Sequence, residues 1–246
     1  PREGKVGGAF CCEVSHAGQS RILTNFNGSF DAVDTLAHEL GHAYHGTQTC
    51  SHRILNRDYP MQVAETASTF NETHITCLAI AKATGEEKLA LLDNILMNTT
   101  QVICDIYSRF LFEDSVFNAC EDRFLMPEDL KAMMLDAQKK AYGDGLDPEY
   151  MHPYMWACKG HYYSEALSYY NFPYAFGAML AMGLYSMYLK EGEAFLPKYN
   201  KFLHATTVMS VEDTAAVVGI DLTSKDFWRE SLKSFADMID EFVELT

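Results

Sequence analysis

The sequence has no pair of cysteines at C-x-x-C spacing, although it contains seven cysteines. Without that spacing a thiolate metal site is excluded as the leading reading. The odd number, with several of the seven in apolar helical runs, points instead to buried free thiols in a reducing compartment. Positive charge is scarce: 19 Lys and Arg stand against 34 Asp and Glu, a formal net charge of −15. So acidic a chain lacks the footprint of a general nucleic-acid binder. It is equally unsuited to docking on an anionic membrane surface. No apolar run reaches the length of a membrane span, and no signal-peptide pattern opens the chain. Internal repeats and low-complexity tracts are missing too. What remains is 48% hydrophobic and 22% charged, enough for a sizeable core. The expectation is a single domain over residues 1–246, located in the cytoplasm. The chain starts at Pro1 rather than at a methionine and enters strand-like sequence at once, which suggests a piece of a longer protein.

The most informative stretch is Thr35-Leu36-Ala37-His38-Glu39-Leu40-Gly41-His42-Ala43. It holds the H-E-x-x-H pattern inside a run of helical character. Residues four apart share one face of a helix, so the His38 and His42 imidazoles can reach one metal ion. Glu39 then flanks that ion as a candidate general base. Phe30, Val33, Leu36, Ala37, Leu40 and Tyr44 recur at helical spacing and predict the buried face. Asp31 and Asp34 suit the first turn of such a helix, and Gly46 suits its C-cap.

The fold class follows from the periodicities around this motif. Val6–Val14 and Arg21–Phe26 read as two strands, with a turn at residues 16–20. Nearly everything later reads as helix. Pro60 opens one toward Gly85, a long stretch covers residues 86–114, and Pro127 opens another that ends near Gly143. Further helices are predicted over residues 174–189, 191–204 and 224–244. The predicted class is therefore mainly α with a small β-sheet near the N-terminus.

Two histidines do not hold a catalytic zinc; a third protein ligand is required, leaving one position for water. Glu65 is the best candidate. It lies one loop beyond the first helix among Val63, Ala64, Ala67 and Phe70, where a carboxylate needs a partner. Glu72, two turns on, can orient a ligand imidazole. His45 competes as a ligand but suits a cationic cap at the helix C-terminus better. His52 and His74 have no spacing in their favour.

These blocks resemble a known family. Gly7-Gly8-Ala9-Phe10-Cys11, Ile22-Leu23-Thr24-Asn25-Phe26, the HELGH and ETASTFNE segments, His161-Tyr162-Tyr163 and YNFPYAFG at residues 170–177 together are similar to the oligoendopeptidase F and thimet oligopeptidase family of zinc peptidases. The blocks occupy roughly the first three quarters of the chain in the family's order. The resemblance implies one Zn2+ per chain on His38, His42 and Glu65, with Glu39 as general base. It implies that His161, Tyr170 and Tyr174 surround the scissile carbonyl, with Tyr163 or Tyr169 as alternates to either tyrosine. It implies a zincin-like helical catalytic domain, the C-terminal catalytic portion of a protein whose missing N-terminal part is its partner, and short peptides as substrates cleaved at internal bonds. The segment from Gly8 to Cys12 could pair with an extended substrate backbone. Competing readings are a zinc hydrolase specific for a free terminus, for which no recognition group is visible, and a non-catalytic or incomplete zinc-binding fragment. The intact Glu39 opposes a purely structural zinc, which has no use for a base.

Overall fold

The computed structural model describes residues 2–165 and 168–246. The chain forms two compact units. One comprises residues 1–96 and 176–246, the other residues 97–175.

The first unit begins with an antiparallel pair of strands, β1 (Phe10–Val14) and β2 (Gln19–Leu23), in register Phe10 to Leu23 and Glu13 to Ser20. Both strands pack on helix α1 (Phe30–Thr49), whose first turn is capped by Ser29 accepting from the Ala32 amide. After a break come the single turn α2 (Met61–Ala64) and the long helix α3 (Thr66–Lys82), which lies along α1. At Gly41 the backbones of these two helices come very near each other. A Cβ built there would meet the Ala67 carbonyl oxygen and lie 2.5 Å from Ser68 Cα, so only glycine lets the backbones come this near. Helix α4 (Gly85–Thr100) follows, and α7 (Phe172–Glu191), α8 (Leu196–Ala205), α9 (Val211–Ala216) and α10 (Lys225–Leu245) complete the element list after the second unit. The core here is aliphatic and aromatic: Leu180, Leu184, Phe195, Phe202 and Leu203 are fully buried, and Phe70 stacks on Tyr199 at 4.4 Å. Truncating a phenylalanine in such a place to alanine costs about 3–5 kcal/mol. At Gly183 a Cβ would fall 2.5 Å from the Phe227 ring, which fixes how near α10 comes to α7.

The second unit is built on α5 (Ile106–Cys120) and α6 (Pro127–Tyr142). Phe112, Met134 and Ala137 form its buried centre, with Trp156 and Tyr162 packed against them. Proline opens α6, the Asp129 carboxylate accepts from the Met126 amide at 2.9 Å, and Gly143 ends the helix at φ +58°. Gln138 exchanges two hydrogen bonds with the His152 backbone and so anchors the long segment that precedes α7.

The predicted class, mainly α with a small sheet near the N-terminus, is the observed one. Several boundaries differ. The helix from Pro60 breaks at Glu65, and the stretch over residues 86–114 is interrupted by a π-helical turn at Gln101–Asp105. Helix α1 runs on past Gly46 to Thr49, and Gly46 is buried against Glu13 rather than serving as a cap. Val33, Leu40 and Tyr44 are exposed, whereas Glu39, His45 and Thr49 are buried. The seven cysteines are free, but none is buried: three are half-buried and four exposed. Among the described residues no helix is long and apolar enough to cross a membrane.

Candidate metal centre

Helix α1 carries His38 and His42 on one face, and the break before α3 brings Glu65 opposite them. Glu65 has φ −91° and ψ 0°, so it belongs to neither neighbouring helix and sits at the N-cap of α3. Its carboxylate is therefore at the positive end of that helix. Ser68 Oγ lies 3.0 Å from both Glu65 Oε2 and the Glu65 carbonyl oxygen, which holds the side chain in place.

Glu65 Oε2 is 3.3 Å from His38 Nε2 and 3.5 Å from His42 Nε2. These separations are long for hydrogen bonds, which cluster near 2.9 Å. They match the spacing of about 3.4 Å between neighbouring ligand atoms in a tetrahedral zinc site with bonds of about 2.1 Å. Among the described residues this trio is the one set of three or more His, Cys, Asp or Glu side chains whose ligand atoms all lie within 4.8 Å of one another. Two imidazoles and a carboxylate are the donor chemistry of a catalytic zinc, so the residues fit the ion.

The surroundings favour positive charge. Burial alone would depress His38, but hydrogen bonds with Glu65 and Glu72 outweigh it and raise its pKa to about 10. Burial alone would raise Glu65, yet the hydrogen bonds with His38 and His42 hold it far below the usual carboxylate range. Glu72 Oε2 is 3.0 Å from His38 Nδ1, so this carboxylate accepts a hydrogen bond from Nδ1–H and leaves Nε2 aimed at Glu65. Behind Glu72 stands Asp34. Burial and the charge of Glu72 push its pKa up to about 7, against a hydrogen bond from Thr76 at 3.0 Å. The relay Asp34–Glu72–His38 thus begins one turn before the motif. Sequence reading missed Asp34 in this role, although its offset of four from His38 was the available signal. Ser68 was missed as well, since nothing in the sequence marks a local hydroxyl of this kind.

Glu39 points away from solvent, at 6% exposure. Its charge is felt by Cys11 on β1, whose thiol is pushed up by burial first and by Glu39 in addition, against a hydrogen bond with Ser20. His45 is no cationic cap. It is fully buried, stacks on Tyr59 at 4.1 Å and bonds Thr206 through Nε2 at 2.8 Å, and burial pushes its pKa down to about 4. His52 stacks on His204, and His74 packs against Tyr185 and Tyr188; neither joins the trio.

In the second unit, His161, Tyr170 and Tyr174 form a ring cluster. Centroids are 4.7 Å apart for His161 and Tyr170, 5.7 Å for the two tyrosines and 6.2 Å for His161 and Tyr174. The alternates face elsewhere: Tyr163 is 64% exposed, and the Tyr169 hydroxyl donates to Asp114 at 3.0 Å.

Known proteins resemble the chain in sequence and in fold. The chain is 30% identical to oligopeptidase PepF of Bacillus subtilis over 246 residues, covering 99% of this chain and 36% of that protein. It is 27% identical to the chromosomal oligoendopeptidase F of Lactococcus lactis subsp. cremoris, covering 98% of this chain and 40% of the relative. The chain thus spans well under half the length of these relatives. Oligoendopeptidase F from Enterococcus faecium superposes with a TM-score of 0.72 at 22% identity, over 87% of this chain and 39% of that one. A crystal structure of a protein from Chlamydophila abortus superposes with a TM-score of 0.85 at 22% identity, over 98% of this chain and 40% of that one. Residues 1–234 match the profile of peptidase family M3, and to that family the chain belongs.

Proposed function

We propose that this chain is the catalytic portion of a zinc metalloendopeptidase that cleaves internal bonds of short peptides. The observation that carries the proposal is the spacing of 3.3 and 3.5 Å between Glu65 Oε2 and the two histidine Nε2 atoms, with Glu72 holding His38 from behind. Family membership and relatives named as oligopeptidases support the same reading.

His38, His42 and Glu65 would hold one Zn2+. When bound, zinc supplies Lewis acidity: it makes water nucleophilic near neutral pH and polarises a carbonyl oxygen. Glu39 would accept a proton from the attacking water as the new C–O bond forms, and pass it to the amide nitrogen as the C–N bond then breaks. Its burial keeps bulk water from competing for that proton. Hydroxyls of Tyr170 and Tyr174, with His161 beside them, would stabilise the negative charge that develops on the carbonyl oxygen. Glu72 keeps His38 in the tautomer that offers Nε2 to the metal. A peptide is bound in part through its backbone, which gives broad sequence tolerance. Free thiols, four of them exposed, suit a cytoplasmic location.

One observation favours a second reading. The chain spans only 36% and 40% of the two relatives, so it can hold zinc and still lack what turnover needs. Metal analysis combined with cleavage of a quenched internal peptide, with and without chelator, separates the cases. One zinc per chain with chelator-sensitive cleavage is expected. Zinc without cleavage, rescued by a longer chain, would favour the incomplete fragment. Failure to bind any divalent ion ends both.

A further inference from the structure

Behind His161 the second unit holds a buried polar pair, Asn171 and Arg109, that the reaction outlined above does not use. His161 Nδ1 lies 3.1 Å from Asn171 Oδ1, and Arg109 Nη1 lies 3.1 Å from the same oxygen. A guanidinium only donates, so the atom between them must be the amide oxygen and not its nitrogen. The His161 nitrogen facing that oxygen must then carry a hydrogen. We infer that Asn171, braced by Arg109, is a positioning residue that locks His161 as the Nδ1–H tautomer and leaves Nε2 as the atom offered to a substrate.

The brace is built to hold. Arg109 is 7% exposed and pairs with Asp105, the last residue of the π-helical turn, while Asn171 is 1% exposed. Turns of this kind concentrate at functional positions. One helical turn after Arg109, Glu113 accepts the Tyr169 backbone N–H at 2.7 Å. Tyr169, at φ +56°, is the sole non-glycine residue with positive φ among those described. Such a conformation costs about 1–3 kcal/mol and persists where its surroundings over-determine it. Helix α5 therefore grips the 169–171 segment twice, once by its backbone and once by the Asn171 side chain. The arrangement leaves Asn171 Nδ2 buried with no partner among the described residues. Flipping the amide would not relieve this, because it would set two donors against each other at Arg109.

The lock has a chemical consequence that rests on the functional reading above. A neutral Nδ1–H ring presents a lone pair at Nε2 and so accepts a hydrogen bond. Only as imidazolium does Nε2 donate. In the Nδ1–H form the tyrosine hydroxyls are then the donors to a developing oxyanion, and His161 receives an N–H or O–H.

Long-range 1H–15N spectra of the full chain at pH 8.5, well above the ordinary imidazole value of about 6.5, test the lock directly. The His161 signals are assigned by their loss in H161Q. The expected result is a protonated Nδ1 and an unprotonated Nε2. In N171L the Nε2–H form should grow, and N171D, which keeps an oxygen in place, should restore the original pattern. A bare Nδ1 in the wild-type protein, or an N171L spectrum unchanged from it, overturns the inference. If N171L does not fold, the wild-type spectrum alone decides. Where the chain cleaves peptide, kcat in N171L should fall about tenfold to a hundredfold with KM little changed, and N171D should recover most of it. A changed tautomer with unchanged kcat, in a protein that H161Q inactivates, overturns the positioning role. Full activity in H161Q instead defeats the substrate-facing reading of His161 and leaves the tautomer assignment standing.

Discussion

Replacing Gly41 with alanine isolates the helix contact that brings Glu65 to the histidines. The added Cβ would sit 2.5 Å from Ser68 Cα, and ordinary contact begins at 3.4 Å, so α1 and α3 must part by about 0.9 Å there. Glu65 lies three residues from Ser68 at the same end of α3 and moves with it. Metal–ligand distances tolerate about 0.2 Å, so the third ligand is lost or badly strained. Zinc affinity should therefore fall by at least about a hundredfold, equivalent to about 2.7 kcal/mol. Stability should respond much less. Overpacking costs about 1–3 kcal/mol, but alanine gains back about 0.8–1 kcal/mol over glycine inside a helix. The remaining cost of up to about 2 kcal/mol lowers Tm by a few degrees at this chain length. The assay is competition for Zn2+ against a chromophoric chelator, run beside thermal melts of the metal-free protein. A folded G41A protein with zinc affinity within threefold of wild type would refute the argument that this approach sets the site.

Glu39→Gln should keep one zinc per chain by metal analysis and lose about 10²–10⁴ of peptide turnover, because only the base is removed. Glu72→Leu should leave all three ligands in place yet weaken zinc about tenfold to a hundredfold, read by the same chelator competition. Zinc uptake should release a proton. His38 binds one with its pKa raised to about 10, and metal needs the same nitrogen, so affinity should climb up to tenfold per pH unit from 7 toward 10. Calorimetry in two buffers of different ionisation heat counts that proton, and a count of zero rejects the pairing of His38 with Glu65. In the metal-free protein the raised His38 value stabilises the fold fully below pH 6.5, and the contribution fades as pH rises through about 10. Glu65 acts oppositely: its depressed value supports the fold above pH 4.5 and fails as pH falls. Melting temperature in excess chelator should therefore decline toward both extremes.

The grouping of His38, His42 and Glu65 was legible because helical arithmetic alone puts the two histidines on one face, and because Glu65 sits in sequence too apolar for an unpartnered carboxylate. Glu72 followed from the need of an imidazole for support on its far nitrogen. The apolar face of α1 was misread for the same reason that the motif was found. Around a polar site Glu39, His45 and Thr49 are buried alongside Ala37, while Val33 and Leu40 are exposed, so the hydrophobic pattern is partly inverted there. The break at Glu65 and the π-helical turn at residues 101–105 leave no local mark, since tertiary contacts decide them. His45 looked like a cap from its position. Only its burial against Tyr59 and Thr206 shows that it must stay neutral.

The sheet is a ribbon of two strands, and neither has a second strand neighbour among the described residues. Unsatisfied amides and carbonyls along such a flank recognise any extended backbone, whatever its source. Under the function proposed above, a peptide laid along that flank would be held by its main chain, so N-methylating its backbone should weaken it more than exchanging its side chains.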